Sequence, residues 1–299
     1  MANRPKTLKE YVGQDRLRPL ISAEMNSGKQ FRHTLLFGMP GTGKSSMAGC
    51  LGNMLGYHVH YYVASREWTV TKITRTLLDL SVKGYDRAGH AQANADRHIL
   101  FFDEIHKLPD FESWFSAMED MELYVNGSPS WLPYFTMIGA TTECNLPKPF
   151  QDRFPLQFHL EPYTHEQVAQ IIKRTHTKLK DEWALDIARR SRGVPRLALS
   201  FAESVELMGS LGFFDVMGID DVGLNELDRR YLDALRKGDG KPLSLATLAA
   251  MTFEQPKTLS TQVEPYLLQL GYLIIGPKGR SLMEQSSRGR RAESIADLD

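Results

Sequence analysis

The chain has 299 residues, with 36 Lys plus Arg balanced by 36 Asp plus Glu, and 42% of it is hydrophobic. Zero net charge excludes a protein that grips nucleic acid through an overall basic surface, so any such contact must come from a local patch or from assembly. No apolar run reaches the roughly 18 residues of a membrane helix, the start lacks an apolar signal region, and Cys50 and Cys144 are the only cysteines, so the expectation is a cytoplasmic protein of two or three domains without a disulfide framework.

The first strand signal is the apolar run Thr34–Phe37. It leads into Gly38-Met39-Pro40-Gly41-Thr42-Gly43-Lys44-Ser45 and a helical pattern from Ser45 to Leu55. This is the G-x-x-x-x-G-K-[ST] phosphate-binding pattern in its strand–loop–helix setting. Glycines let backbone N–H groups converge on phosphate oxygens, and the helix directs its positive end to the same point. Lys44 is expected at the β- and γ-phosphates, Ser45 on Mg²⁺, and Ser46 beside them. Further runs at His58–Val63, His98–Phe102 and Phe135–Ile138 alternate with helical stretches, which predicts a parallel sheet buried on both faces in an α/β domain. The run from His98 ends in Asp103-Glu104, followed by Ile105-His106. Asp103 suits a Mg²⁺ site and Glu104 suits the activation of an attacking water, a pair that separates hydrolases from kinases; His106 reads as structural. Asn126–Pro133 reads as a turn or hairpin tip. Thr141 and Thr142 end another run. Arg153 and Arg196 would each, in isolation, read as surface residues.

From Thr164 helices dominate: Thr164–Leu179, Asp181–Ser191 and Pro195–Met208, the last begun by a proline at its first turn. After a linker at Gly218–Gly223, helices are predicted at Leu224–Lys237, Ser244–Thr252 and Thr258–Leu270, with a kink from Pro265. Strands at Tyr272–Ile275 and Arg280–Met283 flank the turn Gly276–Gly279. Three helices and a two-stranded ribbon are the winged-helix order. The basic residues Lys278, Arg280, Arg288, Arg290 and Arg291 face one acid, Glu284, over this end of the chain; Lys278 and Arg280 are the candidates for DNA phosphate contact, and the last dozen residues read as disordered. The predicted domains are 1–160, 161–222 and 223–299.

In this order the motifs resemble an AAA+ ATPase, and specifically the RuvB family of Holliday-junction branch-migration motors. The likeness begins at Arg4–Gln14, passes through Asp103–Leu108, Ala117–Asp120, Ile138–Thr142, Asp152–Phe154 and Ser191–Arg196, and resumes at Gly223–Tyr231 and Val263–Gly271. The resemblance implies an adenine pocket at Tyr11 and Val12, a γ-phosphate sensor at Thr142, a finger acting in trans at Arg153 and a lid sensor at Arg196. It also implies ATP with Mg²⁺, a homo-hexamer around duplex or four-way junction DNA, and a junction-binding partner of the RuvA type. Three departures stand out. The stretch between Met121 and Phe135 is shorter than the family's partner-docking hairpin, which leaves Trp131 and Leu132 as a reduced surface. Gln151 replaces a usual arginine, and the wing turn is less basic. Besides a DNA motor, an AAA+ switch or loader that places another protein on DNA also fits the ATPase motifs. A small-molecule kinase leaves the C-terminal half unexplained.

Overall fold

The chain is described here from a computed structural model covering residues 4–80, 97–125, 128–143 and 145–283. Cys144, the basic residues Arg288, Arg290 and Arg291, and the tail read as disordered lie outside the described residues. Contacts divide the chain into two units, Met1–Lys178 with Gly193–Leu199, and Leu179–Arg192 with Ser200–Asp299.

In the first unit the strands are β1 (Thr34–Phe37), β2 (His58–Val63), β3 (His98–Asp103), β4 (Glu122–Val125), β5 (Ser128–Trp131), β6 (Phe135–Thr141) and β7 (Leu156–His159). Five form one parallel sheet in the order β2-β3-β6-β1-β7. Consecutive residues of β3 enter opposite core layers. Leu100 and Phe102 pack with Trp68 and Trp114, while Ile99 and Phe101 pack with Leu51 and Ile138. A central strand covered on both faces therefore needs an unbroken apolar run, as β1, β3 and β6 have. β7 escapes a search for such runs because it is an edge strand. Leu156 and Phe158 point inward while Gln157 and His159 point out, so it alternates. The Asn126–Pro133 segment is more than a turn: Ser128–Trp131 is β5, paired antiparallel with β4 from Glu122↔Trp131 to Val125↔Ser128.

The helix Lys44–Leu55 starts one residue earlier than its sequence pattern. His165–Thr175 begins where expected because Thr164 and Gln167 cap each other reciprocally, Gln167 N–H to Thr164 Oγ1 at 3.2 Å and Thr164 N–H to Gln167 Oε1 at 3.0 Å. It ends at Thr175, short of the predicted Leu179.

The second unit contains Asp181–Arg190 and a capped helix Glu226–Lys237, in which Asn225 and Asp228 form the reciprocal cap. Leu245–Thr252 follows, capped by Ser244. The stretch predicted as one kinked helix is three pieces: Pro256–Thr258, a π-helical Leu259–Val263, and Glu264–Gln269. Pro265 has no N–H to donate to the preceding turn, and the widened turn immediately before it absorbs the loss. The ribbon is β8 (Leu273–Gly276) and β9 (Gly279–Leu282), paired from Leu273↔Leu282 to Gly276↔Gly279 around the two-residue turn Pro277-Lys278. Tyr231, Leu235, Leu248, Leu259, Val263, Leu267 and Leu273 share one core, which the 3.6-residue periodicity of the helices makes possible.

Candidate nucleotide-binding site

Parallel pairing brings the carboxyl ends of β1, β3 and β6 to one edge of the sheet, where open α/β sheets bind ligands. The phosphate loop leaves β1 there, anchored by Gly38 N–H donating to Thr141 O of β6 at 3.2 Å. Inside the loop Thr42 Oγ1 donates to Met39 O at 2.9 Å, and Lys44 Nζ donates to Gly38 O at 2.7 Å and Met39 O at 3.1 Å. Gly43 adopts a left-handed φ of 89°, and a Cβ there would come within 2.7 Å of Tyr163 Oη, so both its conformation and its surroundings demand glycine. Tyr11 Oη donates to Gly43 O at 3.2 Å, and Tyr163 Oη donates to Tyr11 Oη at 3.3 Å. Burial, followed by the neighbouring Tyr163, raises the Tyr11 pKa well above that of an ordinary phenol, so it remains a neutral donor. The N-terminal segment is fixed by Gln14, whose amide donates to Glu161 O at 2.8 Å and accepts from Glu161 N–H at 3.1 Å.

These elements enclose a cavity of about 320 Å³. Tyr11, Val12, Pro40, Gly41, Gly43, Lys44, Ser45, Ser46, Asp103, Glu104 and Arg196, all expected from the sequence, are on its wall. Gly38, Met39 and Thr42 belong to the loop but are off the wall, Met39 being largely exposed and Thr42 buried. Burial pulls the Lys44 pKa below its ordinary value; Asp103 and Glu104 oppose that shift and Arg196 adds to it. Lys44 and Arg196, beside the start of the Lys44–Leu55 helix, offer a polyphosphate its partners, so the residues fit a nucleoside triphosphate. Asp103 ends β3 and its Oδ1 accepts from Glu104 N–H at 3.1 Å. Glu104 itself has φ 53°, an uncommon left-handed backbone for a non-glycine residue, of the kind that clusters at functional sites.

Several wall residues carry no local motif. Tyr163, from the connection after β7, and Ile171, Arg174 and Leu199, from the helices beyond it, are among them, and only the tertiary fold places them. Arg4 and Glu10, from the N-terminal segment, are also there. Thr142 is exposed just past the end of β6 and off the cavity wall; Arg153, half-buried after the short helix Lys148–Gln151, is also off the wall. The Arg153 guanidinium donates to Pro149 O at 2.6 Å, lies 3.1 Å from Glu119 Oε1, and sits 3.6 Å over the Phe115 ring. In the second unit Lys278 is exposed at the ribbon turn. Arg280 instead donates to buried Glu264, at 2.9 Å to Oε1 and 3.3 Å to Oε2, while Tyr231 donates to the same Oε1 at 2.8 Å.

The family model for the Holliday junction DNA helicase RuvB P-loop domain matches residues 3–160, and that for the RuvB C-terminal winged helix domain matches residues 221–292. The chain belongs to the RuvB family. It is 34% identical to the Holliday junction branch migration complex subunit RuvB of Lactobacillus helveticus and 33% to that of Campylobacter fetus, over 95% of this chain and 87% of each relative. The solved Thermotoga maritima RuvB Holliday junction branch migration motor superposes with a TM-score of 0.74 at 31% identity, over 95% of this chain and 97% of that one. As a P-loop ATPase of this family the chain binds nucleotide and hydrolyses ATP, and the cavity at the sheet edge is where its residues fit that ligand. Among the described residues no helix is long and apolar enough to cross a membrane.

Proposed function

We propose that the chain is an ATP-driven motor subunit that translocates duplex DNA and drives branch migration of Holliday junctions in recombination and repair, working in the cytoplasm as a homo-hexamer. The observation that carries this reading is that a complete phosphate-loop site and a winged-helix unit occur in one chain, along nearly the full length of RuvB relatives. The working division is a nucleotide domain at 1–160, a lid at 161–222 and a winged helix at 223–299. Lys44 and Arg196 bind the phosphates, and Tyr11 and Val12 border the adenine. Ser45 and Asp103 hold Mg²⁺, an ion that needs one or two protein oxygens beside phosphate and water. Glu104 orients the attacking water and takes its proton, Thr142 senses the γ-phosphate, and Arg153 enters the neighbouring subunit's site. Lys278 touches DNA phosphate directly, and Arg280 contributes through the ribbon it braces.

A junction-binding partner of the RuvA type docks on the β4–β5 hairpin, where Tyr124 and Trp131 are 66% and 55% exposed beside exposed Tyr134. Leu132, expected on that surface, is instead buried in the core. The test is a synthetic four-way junction incubated with the purified protein and ATP, with and without such a partner. ATP-dependent duplex products that vanish with Lys44→Ala support the motor. ATP turnover without duplex products under both conditions removes it and leaves a switch or loader.

A further inference from the structure

His106 lies three residues past Asp103, and its position depends on the end of β6. Thr141 Oγ1 donates its proton to Glu143 O at 3.0 Å and accepts from Glu143 N–H at 3.0 Å. With its proton committed, that hydroxyl can only accept from His106 Nδ1, 2.9 Å away. Nε2, the other ring nitrogen, faces two carboxylates, Glu104 Oε2 at 3.5 Å and Glu143 Oε1 at 3.4 Å, and it holds them by donating an N–H, which requires the ring to carry protons on both nitrogens. The imidazole is largely buried, with a side-chain exposure of 10% against 27% for Glu104 and 52% for Glu143. Lys107 Nζ is the further cation near Glu104, at 3.9 Å.

We infer that His106 is a positioning residue for Glu104, tying the acid that activates water to the β6 end formed by Thr141 and Glu143. Three observations converge on this. Glu104 has a left-handed backbone, so its carboxylate is delivered by a conformation that its own side chain does nothing to favour and needs an external hold. The Thr141 carbonyl accepts from Gly38 N–H at 3.2 Å, so one residue contacts the phosphate loop through its backbone and His106 through its hydroxyl. The 3.4–3.5 Å approaches at Nε2 exceed a tight hydrogen bond, so the imidazole restrains Glu104 without locking it. A chain of contacts thus runs from the phosphate loop through Gly38, Thr141 and His106 to Glu104. Glu143 approaches the same ring nitrogen as Glu104, so the imidazole is shared between the two carboxylates.

The inference rests on ATP hydrolysis through Glu104, and wild-type turnover tests that premise separately. The experiment compares kcat for ATP, affinity for a non-hydrolysable ATP analogue, and melting temperature in His106→Ala, His106→Gln, Thr141→Val and the wild type. Misplacing a catalytic group by about 1 Å costs up to about 100-fold. His106→Ala is therefore expected to lower kcat at least tenfold, with analogue affinity within about twofold of wild type. His106→Gln, whose amide can still donate, should recover a good part of the loss, and Thr141→Val should lose kcat in the same direction with analogue affinity kept. Unchanged kcat in His106→Ala overturns the role. So does a loss of kcat matched by an equal loss of analogue affinity, or one that Gln does not relieve at all. If His106→Ala fails to fold, Thr141→Val decides alone: kcat equal to wild type sinks the inference.

Discussion

In the proposed mechanism Glu104 and Lys44 divide the work of the site between them. Lys44 is held by the carbonyls of its own loop, so it is ready for phosphate before nucleotide arrives. Glu104 is partly exposed, on a left-handed backbone, beside His106. Neutralising it leaves the phosphate contacts intact and removes the group that takes the proton. Glu104→Gln is therefore expected to bind ATP with near wild-type affinity while turnover falls by about 100-fold or more. Equilibrium nucleotide binding and phosphate release measured on one preparation check this, and wild-type turnover would take Glu104 out of the mechanism. Both residues were legible in the sequence, because a phosphate loop and an acid pair at a strand end are local patterns. His106 was not. By sequence it reads only as structural, because the contact that singles it out is with Thr141, 35 positions along the chain.

Among the elements, β6 and the ribbon show how local sequence acquires meaning from packing. His33, just before β1, is 9% exposed. Its Nδ1 accepts from Met137 N–H of β6 at 2.8 Å and its Nε2 faces Met118 O at 3.1 Å, an arrangement that requires the neutral ring. Burial lowers its pKa from 6.5 to about 4. Because the folded value is the lower one, the contribution is fully present above pH 6.5 and is lost as pH falls towards about 4, an effect of roughly 3 kcal/mol. Unfolding followed across that window should show a shallower loss of stability in His33→Gln than in the wild type.

In the ribbon, Lys278 and Arg280 are two positions apart and read alike in sequence, yet Arg280 neutralises Glu264, which is 4% exposed. Arg280→Ala leaves that carboxylate unpaired and is expected to destabilise the unit by about 3 kcal/mol. Lys278→Ala should leave the melting temperature unchanged and reduce the salt slope of duplex binding by about one. Denaturation and duplex titration at several salt concentrations separate the two effects. A melting temperature unmoved by Arg280→Ala would show the ion pair to be dispensable.

At the scale of the whole molecule, the proposed ring requires each site to be completed by its neighbour. Arg153 is off the cavity wall and engaged with Glu119 and Phe115, consistent with a role away from its own phosphates. Mixing Arg153→Ala with Lys44→Ala should restore activity that neither has alone, since the second variant still offers its finger to the intact site of the first. With random pairing, roughly a quarter of the interfaces are competent. ATPase measured across mixing ratios should peak at intermediate compositions, and a flat profile would remove the trans role.

The sequence by itself determined the phosphate loop, the acid pair, the helix start at Thr164, and the three-helix-plus-ribbon order. These depend on residues within a few positions of one another, where backbone geometry and hydrogen bonding act directly. The tertiary structure alone decided that β7 completes the sheet, that Tyr163 and Arg174 border the nucleotide cavity, that Leu132 faces the core, that Arg280 serves Glu264, and that His106 joins Glu104 to β6. Each of these joins parts of the chain that composition and spacing treat as unrelated, and only packing the sheet and helices around their apolar cores brings such groups within reach of each other.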